Sequence, residues 1–267
     1  MIGSASDSSL GRVSSLLGVG VIAGVASGLF GVGGGVVVVP ALMLVTGMDQ
    51  RRAAGTSLVA IAPASVVGAV SYGVSGNVHL VSAALLAAGS IAGAQLGVAL
   101  LRVLPIRILP WVFCGFVAAV IASLVLHVPS RGGVIHLGVG NGLLLVGVGV
   151  LAGVLSGLVG VGGGVVVVPA LEVVFGIGDL LARGTSLAMM IPTAISGTIT
   201  NLRRKNTDLA AGITVGIPAA ALAPVGAGIA ALLAPSTSTS LFIGFLVCVA
   251  VLVVWRSGRP ATRRPSS

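Results

Sequence analysis

The chain has 267 residues, of which 56% are apolar and only 7% are charged, with 14 Lys and Arg against 5 Asp and Glu. A soluble domain carries about 25% charged residues, so this composition excludes a soluble enzyme, a nucleic-acid-binding domain and a disordered chain. The basic residues behind the net charge of +9 are spread between apolar runs, which is typical of the loops of a polytopic membrane protein.

Charged residues divide the chain into apolar runs, most of them 19–25 residues long, the length of one membrane-spanning helix. We therefore predict an all-α polytopic membrane protein with about eight apolar helical runs. They cover 13–46, 54–75, 79–101, 107–127, 139–175, 184–202, 209–233 and 237–256. The first run is too long for one straight crossing, because its 34 residues would form a helix of about 51 Å against a hydrocarbon core of about 30 Å.

The first and fifth runs expose an internal repeat. When the chain is shifted by 129 positions, 22 of the 25 residues in 18–42 are identical to those in 147–171. The match continues into a Gly-Thr-Ser-Leu segment at 55–58 and 184–187. The sequence therefore predicts two homologous halves, with these boundaries: polar tail 1–12, first transmembrane repeat 13–127, linker 128–138, second transmembrane repeat 139–256 and basic tail 257–267.

Glycines spaced by four residues form a flat stripe on the first helix of each half. They are Gly20, Gly24 and Gly28 in the first half and Gly149, Gly153 and Gly157 in the second. Such small-residue stripes let helices approach closely in a membrane. We interpret the stripe as a helix-packing surface.

A second glycine cluster interrupts the opening helix of each half. Its members are Gly31, Gly33, Gly34 and Gly35 in the first half and Gly160, Gly162, Gly163 and Gly164 in the second. Each glycine weakens a helix by about 1 kcal/mol relative to Ala, so each long run is either a kinked discontinuous crossing or a re-entrant hairpin. Paired breaks mark the substrate site in secondary transporters, and the N-terminus of the half-helix that follows suits an anion. We predict that these glycines bind an anion, with a packing kink as the alternative.

The duplicated Gly-x-Gly-Gly-Gly-x-x-x-x-Pro segment, followed each time by Gly-Thr-Ser-Leu, resembles the sulfite exporter TauE/SafE family of membrane transporters. The resemblance covers about residues 13–256. It implies a multi-pass protein of the bacterial inner membrane that moves small sulfur-containing or organic anions. Sulfite, sulfoacetate and related sulfonates are the substrates that it implies.

Polar side chains within the apolar runs are further candidates for the substrate site. The hydroxyl candidates are Thr56, Ser57, Thr185 and Ser186. They either cap the helices that they begin or donate hydrogen bonds to an anion. Asn201, in the unusually polar run 184–202, either lines a pathway or bonds a neighbouring helix.

Charged residues near the breaks have two interpretations each. Glu172 is the only acidic residue inside an apolar run, so it is a candidate for proton or cation coupling, with an interface-level position as the alternative. Arg51, Arg52 and Arg183 precede the Thr-Ser pairs. They either attract an oxyanion or set the orientation of the chain as loop charges, and we favour the latter.

No pattern of an enzyme is found. The chain has no carboxylate pair, no metal-spaced His or Cys set and neither nucleotide-binding glycine motif, so we expect no catalytic site, no metal and no cofactor. The expected partners are a small anionic substrate and the lipid bilayer, without nucleic acid, and a homo-oligomer is compatible with the sequence. The predicted function is a secondary transporter or facilitator. The alternative is a membrane subunit or scaffold of a larger complex, without its own transport site.

Charge counting favours inverted repeats. If each long run crosses once, the basic residues divide 9 against 5 between the two faces, and if each is re-entrant they divide 12 against 2. The positive-inside rule prefers the more uneven division. We therefore predict inverted repeats, with both termini cytoplasmic.

Overall fold

A computed structural model describes residues 3–103, 109–126, 138–159 and 162–257. Ten helices and no strand occur in these ranges. The helices are α1 (Gly3–Phe30), α2 (Gly35–Thr46), α3 (Gln50–Val74), α4 (Leu80–Val103), α5 (Leu109–Leu126), α6 (Val139–Val159), α7 (Gly164–Val173), α8 (Asp179–Arg203), α9 (Leu209–Leu232) and α10 (Pro235–Ser257). Helix α1 extends through most of the segment expected to be a polar tail. Gly160, the linker apart from residue 138 and the basic tail apart from residue 257 lie outside the described residues.

Each long apolar run folds into a helical hairpin. The first comprises α1 and α2, and the second comprises α6 and α7. A methyl group placed on Gly34 would lie 2.7 Å from the carbonyl oxygen of Ala23, and one on Gly163 would lie 3.4 Å from that of Ala152. A continuous helix would separate residues so far apart in sequence by several turns. The short helices α2 and α7, about 18 and about 15 Å long, therefore fold back along α1 and α6.

The glycine stripes join the two halves. A methyl group on Gly20 would clash with the carbonyl oxygen of Val215 in α9, and one on Gly149 would clash with that of Leu86 in α4. The two pairs are equivalent, because both members differ by the repeat shift of 129 positions. The packing role predicted for the stripes is confirmed, since the first helix of each half lies against the fourth helix of the other half, α1 against α9 and α6 against α4.

Equivalent helices α3 and α8 cross the centre of the molecule in opposite directions. A methyl group on Gly55, near the start of α3, would lie 3.1 Å from Cβ of Asn201, near the end of α8. One on Gly184, near the start of α8, would lie 2.7 Å from Cβ of Tyr72, near the end of α3. Because each helix begins beside the end of the other, α3 and α8 are antiparallel.

Five helices in the described part of the chain are long and apolar enough to cross a membrane. They lie at Gly11–Phe30, Gln50–Val74, Leu80–Gly97, Val139–Leu158 and Leu209–Leu232. Large apolar side chains remain exposed on them, among them Val74, Leu143 and Leu232. Such surfaces suit contact with lipid, because the bilayer core is itself apolar.

Candidate functional site

The two glycine breaks touch each other in the protein core. A methyl group on Gly164 would lie 2.8 Å from the carbonyl oxygen of Gly31 and 2.8 Å from Cα of Val32. One on Gly162 would lie 3.9 Å from the carbonyl oxygen of Val32. These residues are buried. The fold thus brings the hairpin tips of both halves to one place.

The breaks depend on backbone conformations that favour glycine. Gly31, Gly33 and Gly34 have φ of 69°, 71° and 71°, and Gly162 and Gly163 have φ of 86° and 74°. Residues with a side chain rarely adopt this left-handed region. Gly34 and Gly163 are the N-caps of α2 and α7, and as glycines they have no side chain with which to cap these helices. Both half-helices therefore begin at the contact between the breaks, and the backbone N–H groups of their first turns lie there.

Two equivalent apolar side chains pack against the breaks. A methyl group on Gly162 would lie 2.5 Å from Cε of Met190 and 3.4 Å from Cδ1 of Ile61. Gly33 faces the same pair, since its added methyl group would clash with Met190 and lie 3.2 Å from Cγ2 of Ile61. The sequence held no signal for them beyond the repeat, which makes Ile61 the counterpart of Met190.

Each serine hydroxyl of the Gly-Thr-Ser-Leu segments donates a hydrogen bond to a described carbonyl oxygen. Ser186 donates a hydrogen bond of 3.0 Å to the carbonyl oxygen of Gly31, so this predicted site residue does contact a break. Ser57 donates a hydrogen bond of 2.8 Å to the carbonyl oxygen of Ala54 in its own helix. The equivalent partner of Ser57 in the second break would be Gly160, which lies outside the described residues.

Both threonines bind the opposite half of the protein. Thr56 Oγ1 accepts a hydrogen bond of 3.0 Å from the backbone N–H of Asp208, and Thr185 Oγ1 accepts one of 3.0 Å from that of His79. Asp208 and His79 precede α9 and α4. The threonines lie in the second turn of α3 and α8, so they hold the turns before other helices and do not cap the helices that contain them.

Asn201 and its counterpart Tyr72 have different surroundings. Half-buried Asn201 donates a hydrogen bond of 2.9 Å to the carbonyl oxygen of Gly197 in its own helix. Tyr72 is buried, and its hydroxyl donates a hydrogen bond of 2.7 Å to the carbonyl oxygen of Gly28, just before the first break. The described contacts therefore bring Tyr72, and not Asn201, to a break.

The interpretation of Arg183 as a loop charge is wrong. Arg183 is part of α8 and is only 2% exposed. Nη1 donates hydrogen bonds of 2.8 Å to the carbonyl oxygen of Leu29 and 2.8 Å to Oγ of Ser238. Nη2 lies 3.7 Å from Oδ2 of the fully buried Asp179. The sequence misled because a charge that follows Gly178 looks like part of a loop, whereas the fold buries this turn.

Glu172 belongs to the same charged cluster. It is buried in α7, and it interacts electrostatically with Arg183 and with Asp179. The interface-level alternative for Glu172 does not fit this burial. The cluster lies at the first break, because a methyl group on Gly31 would lie 2.7 Å from Cα of Arg183.

A family model described as "Sulfite exporter TauE/SafE" matches residues 3–124 and 145–267. A curated relative, "Probable membrane transporter protein YunE" of Bacillus subtilis (strain 168), is 30% identical over 130 residues. The match covers 45% of this chain and 47% of the relative, so it spans about half the length of that relative. No solved structure matches the chain.

Proposed function

Because the chain belongs to the sulfite exporter TauE/SafE family of membrane transporters, we propose that it moves small anions of the sulfite or sulfonate type across the bacterial inner membrane. It acts as a secondary transporter or facilitator. The substrate site is formed by the two glycine breaks, with Ser186 as a neighbouring hydroxyl. Glu172 takes part in coupling to a cation or proton.

The contact between the breaks carries this proposal. Two half-helices, α2 and α7, begin where Gly164 meets Gly31 and Val32. Helix N-termini carry partial positive charge and backbone N–H donors, which stabilise an anion. Glycine allows a ligand to approach the backbone closely because it has no Cβ. A packing kink would explain one break, but it gives no reason for two breaks to meet.

Inverted repeats are part of the proposal. The antiparallel contacts of Gly55 with Asn201 and of Gly184 with Tyr72 support opposite orientations for the equivalent helices α3 and α8. The hairpins of α1 with α2 and α6 with α7 support an odd number of full crossings in each half. Because Arg183 is buried, it no longer counts among the basic loop residues of the outer face. The division of basic residues between the two faces is then still more uneven, as the positive-inside rule prefers. Both termini are then cytoplasmic.

Glycine substitutions in proteoliposomes test the site. We expect Gly34→Val and Gly163→Val to abolish uptake of radiolabelled sulfite or sulfoacetate without preventing membrane insertion. Gly47→Val and Gly176→Val are matched controls, because these glycines also have positive φ, 70° and 64°, and an added methyl group at either would have nothing within 4 Å. The controls therefore carry similar backbone strain away from the breaks.

Each outcome of this experiment is informative. Loss of flux in the break variants alone supports the site. Normal flux in both break variants overturns it. A wild-type chain that inserts but moves neither anion favours the alternative of a scaffold subunit without its own transport site.

A further inference from the structure

The end of the Met190 side chain lies between the two glycine breaks. Its ε-methyl group touches both, because a methyl group on Gly33 would clash with Cε of Met190 and one on Gly162 would lie 2.5 Å from it. The sulfur of Met190 would lie 2.9 Å from a methyl group on Gly33 and 3.1 Å from one on Gly164. Met190 is fully buried. An anion that touches both breaks at these glycines therefore has to take the place of the Met190 side chain.

Ile61, the repeat counterpart of Met190, contacts the same two breaks. A methyl group on Gly33 would lie 3.2 Å from Cγ2 of Ile61, and one on Gly162 would lie 3.4 Å from its Cδ1. The two side chains differ in stiffness. Isoleucine is branched at Cβ and is held in one preferred χ1 rotamer in a helix, whereas methionine is unbranched and rotates about three side-chain bonds. Met190 is therefore free to turn aside by rotation about its own bonds, while Ile61 stays in place.

Both residues lie at the middle of the two central helices. Helices α3 and α8 have 25 residues each. Ile61 lies midway between Gln50 and Val74, the ends of α3, and Met190 holds the same position in α8. Because the two helices are antiparallel, their midpoints lie side by side. A side chain at this depth separates the two ends of the helix pair, so one movement there controls passage between them.

A proline follows each of these residues in the same helical turn. Pro63 lies two positions after Ile61 in α3, and Pro192 lies two positions after Met190 in α8. Proline has no backbone N–H, so it cannot bond the carbonyl oxygen of the residue four positions earlier. The turn of α8 that carries Met190 therefore lacks one helical hydrogen bond. Prolines inside helices are common sites of bending, so this turn is suited to movement of the Met190 side chain.

We propose that Met190 is the gate and the size filter of the anion site and that Ile61 is the fixed wall beside it. In this scheme, which rests on the proposed function, the Met190 side chain fills the space between the breaks when no anion is bound and turns aside to admit one. Apolar constrictions close a pathway to ions because they exclude water. The space that Met190 vacates admits a compact anion such as sulfite or sulfoacetate, and it rejects a sulfonate that carries an aromatic ring.

Uptake of two sulfonates of different size tests the inference. The full chain is reconstituted in proteoliposomes, and the rates of sulfoacetate and benzenesulfonate uptake are measured. We expect Met190→Ala to raise the rate of benzenesulfonate uptake relative to that of sulfoacetate about tenfold or more, because the sulfur and the ε-methyl group of the gate are lost. This ratio of rates does not depend on how much of the variant is folded.

Met189→Ala is the matched control. Met189 is also a fully buried methionine of α8, but adjacent residues of a helix point about 100° apart. The control therefore removes the same atoms from the core in a different direction, and we expect it to keep the wild-type ratio of rates.

Thiol labelling provides a second measurement that does not require transport by the alanine variant. In a background without Cys114 and Cys248, we expect Met190→Cys to react with a small anionic methanethiosulfonate reagent and sulfoacetate to slow this reaction. Met189→Cys should not react under the same conditions.

The outcomes separate this inference from the proposed function. A wild-type ratio of rates in Met190→Ala, or an equal rise in Met189→Ala, overturns the gate while sulfoacetate uptake by the wild type leaves the transport function intact. Met190→Cys that does not react, or that sulfoacetate does not protect, overturns the gate as well. A wild type that inserts but moves no anion refutes the proposed function itself.

Discussion

Ser186 Oγ lies 3.0 Å from the carbonyl oxygen of Gly31 and donates a hydrogen bond to it. The bond links the Gly-Thr-Ser-Leu segment of the second half to the glycine break of the first. Both residues are buried. Leaving a buried carbonyl without its donor lowers the stability of the folded protein by about 1–3 kcal/mol. The shape of the first break therefore depends on a side chain from the other half.

We expect Ser186→Ala to lower sulfite or sulfoacetate flux, because the Gly31 carbonyl loses its donor and the break is less well ordered. Ser240→Ala is the control, since Ser240 is exposed and its hydroxyl donates to the carbonyl oxygen of Ser236 in its own helix. Initial rates in proteoliposomes at matched protein content provide the measurement. Equal rates for the two variants would show that this bond does not support transport.

The threonine bonds should stabilise the fold equally in both halves. Thr56→Val and Thr185→Val each remove one acceptor, from Asp208 N–H and His79 N–H respectively. We expect each variant to lower the free energy of unfolding by about 1 kcal/mol, measured by thermal unfolding in detergent. Loss of flux without loss of stability would instead indicate that these hydroxyls bind the substrate.

Tight helix contacts should not tolerate larger side chains in the glycine stripes. We expect Gly24→Leu and Gly153→Leu to destabilise the protein by about 1–3 kcal/mol or more, because an added methyl group already clashes with the backbone of Ala219 or Ser90. Gly18→Leu is the control, because its added methyl group has nothing within 4 Å. Thermal unfolding of the purified variants provides the measurement. Equal unfolding midpoints for the stripe variants and the Gly18→Leu control would contradict the packing role.

Cysteine labelling tests the orientation of the halves. Ser75 and Arg204 are equivalent exposed C-cap residues with nearly the same backbone angles, φ −90° and ψ 10° against φ −90° and ψ 2°. In a background without Cys114 and Cys248, we expect Ser75→Cys and Arg204→Cys to react with a membrane-impermeant thiol reagent from opposite sides. Reaction from the same side would refute inverted repeats.

Glu172 should contribute to the coupling of transport. It is buried in α7, and ionisable groups at membrane depth usually mark a functional site. Glu172→Gln removes the ionisable carboxyl group, so the variant is expected to lose the dependence of sulfoacetate flux on pH. The pH profile of sulfoacetate uptake is the readout, with wild type and Arg52→Gln, which removes an exposed arginine that pairs with Asp208 at 3.3 Å, as references. An unchanged profile would place Glu172 outside the coupling reaction.

The amino-acid sequence by itself determined the helical class, the repeat and the position of both breaks. Apolar runs of spanning length permit little besides helices in a bilayer, and adjacent glycines interrupt a helix wherever it lies. The roles of the stripe glycines at Gly20 and Gly149 also followed from spacing, because residues four apart share a helix face. These features can be recognised without knowing any tertiary contact, so the sequence alone reveals them.

Only the tertiary structure decided which groups meet at the breaks. Nothing local to Arg183 or Asp179 distinguishes a buried ion pair from a loop charge, because burial is set by α1, α3, α7 and α10, which are distant in sequence. The same holds for the partners of Thr56 and Thr185, which lie in the opposite half. Packing also decided whether each long run is a kinked crossing or a hairpin. The left-handed conformations of Gly34 and Gly163 allow the chain to turn. Contacts such as that of Gly34 with Ala23 define the direction in which it turns.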